Sequence, residues 1–226
     1  DVLGNSLLSA LIFIGICGAL YQIFSIDAWY PLLIGIGVAC IFLVNASFSF
    51  EKLKWVGVVS PIALIAVFWL TSSATIINGF SITANQIFSV LGKTFGRIYP
   101  FYEIAVPESE YLLATTIFLS VVVILVAFYS AFLVRNANLI LCLILLIGML
   151  VLYSLLGRDI SFVWFVLPFG ALVLIRLKNR IFLNPGGSGQ KGVAYFSAGT
   201  FFIVSCTILL SIFFISGFVN NYEENG

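Results

Sequence analysis

The chain has 226 residues, of which 62% are hydrophobic, 16% aromatic and 8% charged, with a mean hydropathy of +1.19 and a formal net charge of +1. Soluble domains run at roughly 45–50% apolar and about 25% charged, so these charges are too few to cover a water-facing surface, and the same composition excludes disorder. What remains is an integral membrane protein, with no electrostatic footprint for nucleic acid.

The sequence begins at Asp1, and Met149 is its only methionine, which reads as a segment or processed product of a longer protein. A bilayer core of about 30 Å takes ~20 helical residues, so long charge-free runs are the primary signal. The first, 7–24, lacks the basic start and small-residue cleavage site of a secretory signal and is read as a span. Further spans are predicted at 28–48, 55–74, 111–134, 139–157, 160–177 and 195–219, with Arg176 the only charged residue inside any of the seven. The expected fold is all-α: one polytopic transmembrane domain over 1–226, with about seven helices and short joints between antiparallel neighbours. Pro61 and Pro168 are expected to kink the third and sixth spans.

Between the third and fourth spans, residues 75–110 are the least lipid-like part of the chain. Within them Ile87, Val90, Leu91, Phe95 and Ile98 recur at helical spacing, with Asn85, Gln86, Ser89, Lys93 and Arg97 between, predicting an amphipathic helix over 82–98. Such a helix suits either the membrane surface or a lid over the bundle. Pro107-Glu108-Ser109-Glu110 reads as the start of the fourth span, with acidic groups near the positive helix end.

Orientation follows from the basic residues. Lys52, Lys54, Arg135, Arg176, Lys178, Arg180 and Lys191 fall on one set of loops, and Lys93, Arg97 and Arg158 on the other. The first set is therefore expected in the cytoplasm with the amino terminus, which puts 75–110 and the carboxy-terminal tail on the extracytoplasmic side of the cell membrane. Trp29, Tyr30, Trp55, Tyr111 and Tyr195 suit the interface belts.

Little here suggests chemistry. The chain has no histidine, which removes the usual general base and the commonest zinc and haem ligand. Cys17, Cys40, Cys142 and Cys206 lie far apart in apolar runs and read as packed thiols. Glu103, Glu108 and Glu110 make an acidic cluster open to acid–base work or cation binding, but a solvated juxtamembrane face is the plainer reading. Gly186-Gly187-Ser188-Gly189 lacks the phosphate-loop pattern and reads as a flexible hairpin.

Within the spans, Asn45, Ser60, Thr71, Ser72, Ser120, Ser154, Thr200, Ser205, Thr207 and Ser211 are the candidates for hydrogen bonds between helices. Gly15 with Ala19, and Gly35 with Ala39, have the spacing that admits close helix approach. No catalytic, cofactor-binding or metal-binding residue is assigned, and no cofactor; whether the chain belongs to an enzyme is left open.

Hydrophobic hairpins, the charged EKLKW turn at 51–55, and the segment NQIFSVLGKTFGRIYPFYE at 85–103 are followed by spans joined through RNAN and GRD, a basic loop, and a last span that exits outward. In that layout the chain resembles the amino-terminal membrane module of bacterial transglutaminase-like membrane proteins. The resemblance implies a non-catalytic anchor for an extracytoplasmic domain carrying a Cys-His-Asp triad, or for another cell-envelope partner. It carries over no catalytic residue, because this chain has no histidine. The alternative is a small permease or accessory transporter subunit for an apolar or lipid substrate.

Overall fold

A computed structural model describes residues 2–136, 139–156, 161 and 163–183. Among them every regular element is helical: α1 (Val2–Phe24), α2 (Tyr30–Ser49), α3 (Lys54–Phe95), α4 (Tyr111–Asn136), α5 (Leu139–Leu156) and α6 (Val163–Leu183). Short 3-10 turns precede α3 at Glu51–Leu53 and α4 at Glu108–Glu110. Four of the described helices, α1 to α4, are long and apolar enough to cross a membrane, and α6 holds a shorter apolar stretch, Val163–Ile175. The span expected at 195–219, with Cys206, the Gly186–Gly189 run and the tail, lies outside the described residues.

α1 is the hub, because two of its faces are buried. Leu8, Ile12, Ile16, Ala19 and Ile23, spaced by three and four residues, pack with Leu133 and Val134 of α4, Tyr153 and Leu156 of α5, and Phe165, Phe169 and Leu172 of α6. From the other face Phe13 enters a second cluster with Leu33, Cys40, Ile41 and Val44 of α2 and Val123, Ile124 and Ala127 of α4. Helices buried on more than one face show no strong amphipathic period, which is why α1, α2 and α4 read as plain apolar runs.

Glycine sets the closest approaches. A Cβ on Gly15 would overlap Pro168, and one on Gly18 would overlap the Trp164 ring, so α1 and α6 meet at backbone distance. Gly15 and Ala19 thus behave as expected. The second expected pair does not: Gly35 has nothing within 4 Å and Ala39 is exposed, while Gly37, on the opposite side of α2, receives the Phe13 ring. Two small residues at helical spacing show that a helix can be approached, but burial of the neighbouring side chains decides which face is used.

α3 joins two segments that the sequence separates. The span expected at 55–74 and the amphipathic helix expected at 82–98 form one helix of 42 residues, bent at Ser72 (φ −142°, ψ 29°). Pro61, the expected kink, stays inside helical geometry; the break comes where Thr71 Oγ1 donates back to the Val67 carbonyl at 2.8 Å and Ser72 Oγ donates to Thr71 Oγ1 at 3.4 Å. A straight helix of 42 residues would measure about 63 Å, twice the hydrocarbon core, so two packed halves require a bend.

Before the bend, α3 rests on α2 through Gly57 against Phe48, with Trp55, Ile62, Val67 and Leu70 exposed. After it, α3 packs on α4, where a Cβ on Gly79 would overlap the Ala114 carbonyl. The helix ends at Gly96, whose left-handed backbone (φ 61°) an L side chain rarely adopts.

Contacts between connections sort the helix ends into two groups. At one end Arg135 Nη2 donates to the Phe48 carbonyl at 3.2 Å and its guanidinium lies 4.6 Å from the centre of the Phe48 ring, beside the turn carrying Lys52 and Lys54. At the other end the Ser161 N–H donates to Gln22 Oε1 at 2.9 Å, the Trp29 N–H donates to Thr116 Oγ1 at 3.1 Å, and Gln86 Nε2 donates to Asp27 Oδ2 at 3.5 Å. Lys52, Lys54 and Arg135 therefore share an end, opposite Lys93 and Arg97.

Candidate functional site

The end opposite the basic turn is roofed by the second half of α3. Residues 73–95 meet α4 at Gly79, the α1–α2 turn at Gln86 and the first apolar cluster at Leu91, so this half-helix crosses over the bundle. Of the two expected placements, surface and lid, the lid is the one adopted. Ile82 and Val90 are buried beneath it and Ile87 is half-buried, while Phe95 and Ile98 are exposed.

Residues 97–107 return along the lid as an extended strap held by two asparagines. Asn85 Nδ2 donates to the Tyr102 carbonyl at 2.9 Å and its Oδ1 accepts the Tyr102 N–H at 2.8 Å; Asn78 Oδ1 accepts the Ala105 N–H at 3.0 Å. Asn78 and Asn85 are two turns apart on one helix face, about 10.5 Å by helical rise, and Tyr102 to Ala105 covers about 10 Å when extended, so the registers match. Aromatic packing fills the gap: Tyr99 stacks on Phe88 at 5.6 Å, and Phe80 meets Tyr102 at 5.6 Å and Phe118 of α4 at 5.7 Å. An extended strand has no hydrogen-bond partner along a helix, and the asparagine amides supply one.

Glu103, Glu108 and Glu110 all lie on this end and all are exposed. Glu108 and Glu110 form the 3-10 turn that leads into α4, where the Glu110 N–H donates to the Pro107 carbonyl at 2.9 Å, as expected of a helix start. Among the described residues no group of three or more His, Cys, Asp or Glu side chains is placed to hold a metal ion.

Between them α1, α2 and α4 form a partly open apolar cavity of about 80 Å³. Phe13, Cys17, Leu20 and Tyr21 come from α1, Tyr30, Leu33 and Ile34 from α2, and Leu119, Val122, Val123 and Val126 from α4. The Tyr21 and Tyr30 rings lie 3.8 Å apart, and the Tyr30 hydroxyl donates to the Ile26 carbonyl, which closes the α1–α2 turn over the cavity. Cys17 and Cys40 are both free thiols.

The expected polar residues divide by role. Asn45 is buried and bridges helices, its Nδ2 donating to Ser9 Oγ at 3.5 Å while Ser9 Oγ donates to the Asn5 carbonyl at 2.7 Å. Ser120 and Thr71 donate to their own helices, Ser60 Oγ is buried without a partner among the described residues, and Ser154 is exposed. Thr200, Ser205, Thr207 and Ser211 lie outside the described residues. Sequence reading missed Ser9, Thr116, Asn78 and Asn85. The seven-residue spacing of the two asparagines, ahead of a segment bounded by Pro100 and Pro107, was the available signal for the last pair.

No protein-family model, curated protein or solved structure matches the chain.

Proposed function

We propose that this chain is a non-catalytic membrane anchor and scaffold, the membrane part of a larger cell-envelope protein of bacterial type. In this reading seven spans place the amino terminus in the cytoplasm and the carboxy terminus outside, and a transglutaminase-like domain follows residue 226 in the full-length protein. The observation that carries the scaffold reading is the roof: residues 73–107 form a helix and strap pinned by Asn78 and Asn85, a braced surface at the end opposite Lys52, Lys54 and Arg135. The excess of basic residues on the other connections supports an extracytoplasmic side for that roof.

Topology is tested with single cysteines at Ser188 and Asn221 in a background lacking the native four. An impermeant maleimide applied to intact cells is expected to modify only the second, and modification at Ser188 contradicts the orientation. The residues encoded after Gly226 test the fused domain, which a stop codon there would remove.

A second reading, a permease or transporter subunit for an apolar or lipid substrate, is favoured by the cavity between α1, α2 and α4. Saturable flux of a lipid analogue into reconstituted vesicles, abolished by filling the cavity with Val122→Phe, would establish it. Flux that is absent, or unchanged by V122F, would count against it.

A further inference from the structure

The roof extends past the bundle. Val90 is its last buried residue and Leu91 its last contact with the first cluster, after which Lys93 to Ile98 are all exposed. Ile98 is 100% exposed and Phe101 64%, and Phe95 is exposed as well. Phe95 and Ile98 form an apolar tip at the turn where Gly96 ends α3, and Phe101 lies further back along the strap, next to Tyr102 at Asn85. The tip is held in place from behind, since Tyr99 stacks on Phe88 and Tyr102 is fixed by Asn85.

Lys93 and Arg97 flank this tip, and neither makes an ion pair with a carboxylate among the described residues. From 93 to 103 the only acidic residue is Glu103, leaving two basic groups against one acidic. Gln86 meets Asp27, two residues from Trp29, so this half-helix lies at the level of a tryptophan of the kind that marks a headgroup layer.

We propose that this tip is an interfacial anchor for anionic phospholipid. Phe95 and Ile98 enter the boundary between headgroups and acyl chains, while the Lys93 ammonium and the Arg97 guanidinium pair with lipid phosphates. Basic groups at an anionic surface are each worth about a fivefold preference, the equivalent of about 1 kcal/mol. A neutral, apolar partner surface would not use the two cations, which have no carboxylate partner among the described residues, and an acidic headgroup uses both.

The test places a bimane fluorophore on Ile98→Cys in the full chain lacking its native cysteines, reconstituted in phosphatidylcholine vesicles with and without phosphatidylglycerol. Brominated phosphatidylglycerol is expected to quench the label several-fold more strongly than brominated phosphatidylcholine. Lys93→Gln with Arg97→Gln should remove that preference and leave the bulk apolar quenching in place. Ile98 touches nothing, so I98C leaves the fold intact, and an unchanged melting profile of the double variant confirms the same for it. A label quenched by neither lipid would overturn the proposal. So would equal quenching by both lipids that is indifferent to the double substitution. A label that is water-accessible in vesicles but protected in native membranes would overturn it in favour of a protein partner.

Discussion

Asn85 satisfies both backbone polar groups of Tyr102, donating to its carbonyl at 2.9 Å and accepting its N–H at 2.8 Å. One side-chain amide thus does for the strap what a neighbouring strand would do in a sheet, and with Asn78 on Ala105 it fixes the path of residues 97–107 across the roof. The path of residues 97–107 depends on a pair of asparagines that a hydropathy profile registers only as interruptions.

Asn85→Ala is expected to free the strap without unfolding the bundle. Two hydrogen bonds at about 0.5–1.5 kcal/mol each put the local cost near 1–3 kcal/mol. Hydrogen exchange at Tyr102 should accelerate by one to two orders of magnitude, and exchange in α1 and α4 should not change. Asn85→Asp keeps the acceptor and loses the donor, so its effect should be intermediate. Faster exchange throughout α1 would show instead that the strap holds the bundle together.

Gly15→Ala and Gly18→Ala should each lower thermal stability in detergent, because the added methyl meets Pro168 or Trp164 in the α1–α6 contact. Overpacking of this kind costs about 1–3 kcal/mol. Gly35→Ala meets nothing within 4 Å and gains helix propensity, so it should be neutral or stabilising by up to about 1 kcal/mol. The reverse ranking would mean that α1 and α6 do not pack through this glycine face.

Asn45 sits 2% exposed, its Oδ1 without a partner among the described residues and its Nδ2 on Ser9 at the outer limit of a hydrogen bond, 3.5 Å. Bonds between membrane helices average about 0.6 kcal/mol, so Asn45→Leu, which also removes the unmet acceptor, should fall within about 1 kcal/mol of the parent protein. Asn45→Asp places a charge between helices and should cost about 2.5–3.5 kcal/mol. Equilibrium unfolding in mixed micelles separates the two, and strong destabilisation by N45L would show that the Asn45–Ser9 contact is worth far more than its length suggests.

The helices themselves were legible because lipid imposes length and apolarity directly. α2 and α4 begin and end within two residues of the runs expected at 28–48 and 111–134. The continuity of α3 was not legible. Thr75 to Ser81 contains Asn78 and Gly79, which locally favour a break, and their helical state comes from packing Gly79 on the Ala114 carbonyl, a contact between residues distant in sequence. The same separation hid the strap, since Asn85 has no partner until Tyr102 returns over it. Periodicity identified Val90 and Leu91 as inward-facing, but assigned Phe95 and Ile98 to the same stripe; α3 runs past the bundle after Leu91, which leaves Phe95 exposed, and Gly96 then turns left-handed and takes Ile98 out of the helix. In α2, spacing picked out Gly35 and tertiary packing uses Gly37.

The most direct test of the roof, and of the extracytoplasmic side proposed for it, is a cross-link between Asp27→Cys and Gln86→Cys, whose native side-chain tips meet at 3.5 Å, made in intact cells lacking the native cysteines with a bis-methanethiosulfonate long enough to replace the two lost side-chain tips. The cross-link is expected to form readily and to be reduced by an impermeant phosphine added outside. A pair that fails to cross-link, or one that is reduced only after the membrane is permeabilised, would contradict the roof or its side of the membrane.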